Sequence, residues 1–297
     1  MRASKRLWSD SVTPESSSKV FWANERVAVI GVGNMGMALV NGLTNANPGA
    51  ARKIIVSGRD RAKVKESMRG LGVAIAGSNS EAASKASLIV LAVKPQIQAA
   101  VIAEIRDRIR RGSTVLSIAA GIPTSMIEEQ LGGRAGVVRA MPNIAASVGA
   151  SATAICPGKH SKSADMQRAR MLMGSVGTVA EVSEDLMDAI TGLSGTGPLY
   201  VFTILEGLSD AGVKMGLSRE VSTALAIQTL VGSAQLVRAT GEHPAKLREL
   251  VTSPGGTAIT ALHFLEKSGL KATLMDAVEA ATLRSAQLGS RWKRDTK

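Results

Sequence analysis

Cysteine is almost missing from this chain: Cys156 is the only one in 297 residues. A single cysteine makes no intrachain disulfide, so the fold has to be held by its core, and a reducing compartment fits. On its own, Cys156 reads as a small apolar filler rather than a nucleophile. Histidine is as sparse. His160, His243 and His263 are scattered without metal-ligand spacing, so no metal centre is expected. Aromatic residues make up 2% of the chain, which leaves few rings to stack on bases and argues against a nucleic-acid partner. No apolar run reaches the roughly 18 residues of a membrane span, so no membrane partner is expected either.

What the chain does have is apolar residues, 45% of the total and spread throughout, and positive charge, formally +12. The length fits about two domains with a sizeable core. Much of the charge sits at the ends. Residues 1–24 carry Arg2, Lys5, Arg6 and Lys19 against Asp10 and Glu15; residues 291–297 carry four bases against Asp295. Residues 1–24 read as a tail without an apolar signal core, with Trp8 and Trp22 as its anchors. Cytoplasmic localisation is expected. The basic tail keeps a mitochondrial presequence open, although Asp10 and Glu15 count against one.

The chain is organised around Arg26–Leu43. Val27, Val29 and Ile30 form a short apolar strand, followed by Gly31-Val32-Gly33-Asn34-Met35-Gly36 and then Met37, Ala38, Leu39 and Leu43 at helical spacing. Strand, glycine turn and helix in this order are a dinucleotide fingerprint. Gly31 permits the tight turn, Gly33 lets backbone approach a pyrophosphate, and Gly36 lets helix and strand pack closely. The helix start offers N–H groups and a positive dipole end to the phosphates. The second strand, Lys53–Ser57, runs into Gly58 and Arg59 instead of an acid. A hydroxyl and a guanidinium suit a ribose 2′-phosphate, so NADPH is expected as cofactor, with NADH as the second candidate. A solvated basic turn is the plainer reading of the same residues.

Strands are expected at Val73–Ile75, Ser87–Val93, Ser113–Ala119 and Gly136–Arg139, alternating with helices, which gives an α/β fold with a doubly wound parallel sheet. Ser78-x-x-Glu81 and Ser125-x-x-Glu128 have capping-box spacing. Ligands bind beyond the carboxyl ends of such strands, which gathers Gly31–Gly36, Ser57–Arg59, Ala92–Pro95, Ala119–Gly121 and Met141–Asn143. Further strands are expected at Ala150–Ile155 and Gly177–Glu181. From Glu184 onward only helices are expected: Tyr200–Met215, Arg219–Thr240, Pro244–Val251, Thr257–Lys267 and Lys271–Leu288. This divides the chain into a tail (1–24), a dinucleotide domain (25–183) and a helical domain (184–297). Arg219–Thr240 is apolar on several faces, more than about 110 residues can cover, so a homodimer packed through these helices is expected. Two glycine-rich stretches, Ser194–Pro198 and Thr252–Thr257, precede helices. The second suits a carboxylate bound on backbone N–H groups; interhelical turns are the alternative.

With these stretches in place, the chain resembles the pyrroline-5-carboxylate reductases. The resemblance runs from about Val27 to Leu288 and is carried by GVGNMG at 31–36, AVKP at 92–95, AAG at 119–121, MPN at 141–143, TGLSGTGP at 191–198, DAGVKMGL at 210–217 and HPAKLRELVTSPGGTAITALHFLE at 243–266. It implies a Rossmann domain followed by an all-α dimerisation domain, in many members assembled as five dimers. It also implies hydride transfer from NAD(P)H to 1-pyrroline-5-carboxylate, giving L-proline. By resemblance, Gly31, Val32, Gly33, Asn34, Met35 and Gly36 hold the pyrophosphate. Ser57, Gly58, Arg59 and Asn79 face the adenosine ribose. Ala92, Val93, Lys94, Pro95, Ile118, Ala119 and Ala120 line the dinucleotide. Glu184, Ser253, Gly255, Gly256, Thr257 and Ala258 match the substrate side, with Ser253, Thr257 and Ala258 at the catalytic positions. Read from the residues alone, Asn79 caps a helix and Lys94 is a solvated base.

Two departures from the family pattern stand out: Ala258 where Thr is usual, and Leu199 where Ala is usual. A β-hydroxyacid dehydrogenase shares this architecture, but its catalytic Lys has no counterpart between Gly195 and Lys214. A non-catalytic NADPH-binding homologue, or a reductase of a related cyclic imine, is the remaining alternative.

Overall fold

The structure, a computed structural model, describes residues 21–295, with side chains to residue 290. It divides into two compact units: a sheet unit of residues 21–196 and 280–295, and a helical unit of residues 197–279.

The sheet unit holds eight strands: β1 (Val27–Ile30), β2 (Ile54–Ser57), β3 (Ala74–Ile75), β4 (Leu88–Leu91), β5 (Thr114–Ser117), β6 (Gly136–Met141), β7 (Ser151–Pro157) and β8 (Gly177–Glu181), in the order β3-β2-β1-β4-β5-β6-β7-β8. Its helices are α1 (Asn34–Ala46), α2 (Arg61–Ser67), α3 (Asn79–Ser84), α4 (Pro95–Ile105), α5 (Thr124–Leu131), α6 (Ser163–Gly174) and the short α7 (Met187–Ile190). Alternate strand residues feed two cores. Val27, Val29, Val56, Leu88, Val90 and Leu116 pack with Leu39, Leu43 and Leu172; Ala28, Ile30, Ile55, Ile89 and Leu91 pack with Ile102, Ile105 and Ile127. Both faces of the sheet are covered, which is why its central strands read as continuous apolar runs.

β1 to β6 pair in parallel, as expected. β7 departs from the expected all-parallel sheet, since it lies antiparallel to β6. The link 142–150 is too short for a helical crossover, which needs a dozen or more residues. α6 supplies such a crossover between β7 and β8, and those two strands are parallel.

Two boundaries also differ from the sequence reading. Residues 21–24 are helical, and Phe21 and Trp22 are buried in the sheet unit's core, so this end of the expected tail belongs to the fold. Trp8 lies outside the described residues. Residues 184–196 group with the sheet because Met187 packs on Met141, Ala154 and Cys156, and Asn143 Nδ2 donates to the Ser194 carbonyl at 3.1 Å.

The helical unit comprises α8 (Gly197–Lys214), α9 (Arg219–Thr240), α10 (Pro244–Glu249), α11 (Thr257–Lys267) and the first part of α12 (Leu270–Asp295). α8 and α9 approach closely through small residues. Ser222 Oγ donates to the Ser209 carbonyl at 2.7 Å, and a Cβ on Gly212 would collide with Ser222. The second part of α12 belongs to the sheet unit, where Ser285 Oγ donates to Asp188 at 2.7 Å and Gly289 abuts the Gly121 carbonyl.

Candidate active site

The sheet order reverses at β1: the chain winds outward through β2 and β3 and returns with β4 on the other side. Such a switch point opens a crevice at the carboxyl edge. Gly31 lies there with φ of 101°, and a Cβ on it would sit 2.7 Å from the Ala92 carbonyl oxygen. A Cβ on Gly36 would collide with the Gly31 carbonyl. Both positions therefore need glycine for the fold itself. Gly33 differs. Its φ is −86°, and its Cβ would meet nothing within 4 Å. The protein gives no internal reason for glycine here, whereas a backbone left bare for a ligand does. No side chain caps α1, so the first-turn N–H groups, which have no partner within a helix, remain available to phosphate oxygens. These observations fit a dinucleotide.

The structure brings the other expected cofactor residues to the same edge. Gly31 N–H donates to the Ser57 carbonyl, Ala92 N–H to Ile30, and Ile118 N–H to Leu91. Val93 to Pro95 follow Ala92 into α4, and Ala119 and Ala120 follow Ile118. Lys94 and Arg59 are exposed and make no ion pair among the described residues. Asp60 is spent as the cap of α2, accepting from Lys63 N–H at 3.0 Å. Ser78, not Asn79, caps α3. The Asn79 side chain instead accepts from Ser57 Oγ at 2.8 Å and donates to Glu104 Oε2 at 2.7 Å. Glu104 had no signal in the sequence, because its link to this edge is a pairing across 25 residues.

Glu184 lies in the sheet unit, where both its oxygens are engaged. They accept from Thr124 N–H and Thr124 Oγ1, each at 2.7 Å, and the buried Arg139 lies 3.7 Å away. Glu184 thus caps α5. The expected capping box at Ser125 does not form: α5 starts at Thr124, and Glu128 turns to the His160 N–H at 2.8 Å. Arg139 also reaches Asp188 at 3.5 Å. Cys156 is buried nearby, and its thiol is pushed up to about 12, first by burial and then by the Glu184 charge. It stays a neutral thiol at ordinary pH, as a filler should.

The stretch expected as a turn at Ser194–Pro198 is no turn. Thr191–Gly195 forms a π-helical segment, closed by Thr196 N–H on the Thr191 carbonyl at 2.9 Å. Such segments are rare and frequent at functional sites.

Ser253–Ala258 lies in the helical unit. Gly255 has φ of 69°, and Gly256 N–H donates to the Ser253 carbonyl at 3.1 Å, forming a tight turn into α11. A Cβ on Gly256 would collide with Ser253 Oγ. No side chain caps α11, so its first N–H groups also have no partner within the helix. Ser253 and Thr257 are exposed, and Ala258 is half-buried.

This chain is 39% identical over 268 residues to the pyrroline-5-carboxylate reductase of Methanosarcina acetivorans, covering 90% of this chain and 99% of that one. It belongs to the pyrroline-5-carboxylate reductase family. The human pyrroline-5-carboxylate reductase 2 is 40% identical over 268 residues, 89% of this chain and 84% of its own. The model for pyrroline-5-carboxylate reductase dimerisation matches residues 184–288, and that for coenzyme F420-dependent NADP oxidoreductases matches residues 26–121. The crystal structure of the Plasmodium falciparum pyrroline carboxylate reductase with NADP bound superposes with a TM-score of 0.82 at 34% identity, covering 90% of this chain and 98% of that one.

Proposed function

We propose that this chain catalyses the NADPH-dependent reduction of 1-pyrroline-5-carboxylate to L-proline. The observation that carries the reading is the pairing, in one family member, of a fingerprint turn bare at Gly33 with an intact Ser253-Pro-Gly-Gly turn opening α11. NADPH, when bound, supplies a hydride from its nicotinamide to C5 of the imine. Gly31 to Gly36 and the start of α1 bind its pyrophosphate, Ser57 to Arg59 with Asn79 hold the adenosine ribose, and Ala92 to Pro95 with Ile118 to Ala120 line the rest. The N–H groups of Ser253–Ala258 hold the substrate carboxylate. The Thr257 hydroxyl is the hydrogen-bonding group next to Ala258. Because a protonated imine is already electrophilic at carbon, these residues need only orient the reactants and exclude water. That agrees with a sequence that has no catalytic His or Cys cluster.

The chain works as a homodimer through its helical unit; five such dimers in a decamer is the fuller assembly the family resemblance implies. Cytoplasm is the compartment we propose; among the described residues no helix is long and apolar enough to cross a membrane. The test is NADPH absorbance with purified protein and 1-pyrroline-5-carboxylate. One proline formed per NADPH consumed is expected. Absence of substrate-dependent loss would favour the non-catalytic homologue or another imine.

A further inference from the structure

Dinucleotide fingerprints ordinarily place an acid at the end of the second strand, about 20 residues on, where it accepts from the ribose 2′-OH. Here that position is Ser57, which is 2% exposed and ends β2. An acid is nevertheless present one amide away. Glu104, on α4, accepts from Asn79 Nδ2 at 2.7 Å, and Asn79 Oδ1 accepts from Ser57 Oγ at 2.8 Å.

The direction of this relay follows from its acid end. A carboxylate only accepts hydrogen bonds. Asn79 must therefore turn its NH2 to Glu104 and its oxygen to Ser57, and Ser57 must donate its only hydroxyl hydrogen to that oxygen. What Ser57 has left is lone pairs. An oxygen with lone pairs alone accepts from a ribose hydroxyl and repels a phosphate oxygen. Arg59 acts in the opposite sense: it is exposed, makes no ion pair among the described residues, and its guanidinium suits a 2′-phosphate.

We propose that Glu104 is a positioning residue for cofactor choice, supplying at one remove the acid that the second strand lacks. Through Asn79 it fixes the Ser57 hydroxyl as an acceptor, holds down the preference for NADPH that Arg59 creates, and keeps NADH usable. The proposal rests on the placement of the adenosine ribose at Ser57–Arg59.

Binding constants for NADPH and NADH, read from cofactor fluorescence on the full chain, test it. Glu104→Gln frees Asn79 to turn over, so NADPH should gain on NADH by about three- to tenfold, the scale of one neutral hydrogen bond, with the melting temperature unchanged. In an Asn79→Ala background the relay is already cut, and Glu104→Gln should then leave the ratio alone. Arg59→Ala checks the placement: NADPH should weaken about tenfold or more while NADH holds. If Arg59→Ala behaves so but Glu104→Gln leaves the ratio unchanged, the relay is overturned and the ribose placement stands. A shift that persists without Asn79 would also contradict it, since a bare charge effect would suffice. No change from either Arg59→Ala or Asn79→Ala would overturn the placement, and the proposal with it.

Discussion

The two units of this chain follow opposite rules of burial. In the sheet unit every residue of β1, β2, β4 and β5 is buried. In the helical unit Ala226 is the one buried apolar residue among those described. α9 spans Arg219–Thr240 and buries only Ser222 and Ala226, while Leu225, Ile227, Val231 and Leu236 are at least 44% exposed. Phe202, Phe264 and Met275 are more exposed still. An apolar surface of this extent marks an interaction site. The sheet unit closes its own core; the helical unit is one half of an interface. A dinucleotide cradle needs rigid backbone, which a self-contained core supplies. A unit that completes its core with another copy ties its order to assembly.

Two glycines test this division most severely, one in each unit. Gly36→Val should abolish NADPH binding, because its side chain collides with the Gly31 carbonyl and forces the fingerprint turn open; cofactor fluorescence reads this, and light scattering should show the assembly retained. Gly256→Val should lower kcat/KM by about a hundredfold or more, since a misplacement near 1 Å is that costly. Its side chain collides with Ser253, and NADPH affinity should hold. Loss of both functions from either change would mean that the two units do not divide the work in this way.

A smaller effect sharpens the sheet side. If Arg59 meets the 2′-phosphate of the cofactor, Arg59→Ala removes a charge-assisted contact, so NADPH should lose about 1.5–3 kcal/mol and NADH little. Equal losses would show that Arg59 merely sits in a turn. The smallest effect sharpens the helical side. If backbone N–H groups hold the substrate carboxylate, the missing hydroxyl at Ala258 matters little, because a neutral hydrogen bond contributes about 0.5–1.5 kcal/mol. Ala258→Thr should therefore change kcat/KM by less than about tenfold. A rise far beyond that would show that the natural chain is tuned for a different imine.

What the sequence disclosed follows the same division between local and distant chemistry. The strand, glycine turn and helix at Val27–Ala46 were legible because each step is set by neighbouring residues. Arg219–Thr240 and Thr257–Lys267 form helices with the bounds expected from the sequence. The antiparallel β7 was hidden, because its direction depends on the length of a link rather than on strand composition. Residues 184–196 read as part of the helical half, yet Met187 and Ser194 join the sheet unit through distant partners. Glu184 capping α5, and Glu104 bound to Asn79, are pairings of polar side chains 60 and 25 residues apart. No local pattern announces such a pair.

Light scattering on purified protein at micromolar concentration, with activity followed through dilution, tests most directly whether the helical unit is half of an interface. A dimer or a multiple of dimers is expected, dissociated by Leu225→Glu with loss of turnover. A stable monomer with full activity would contradict it.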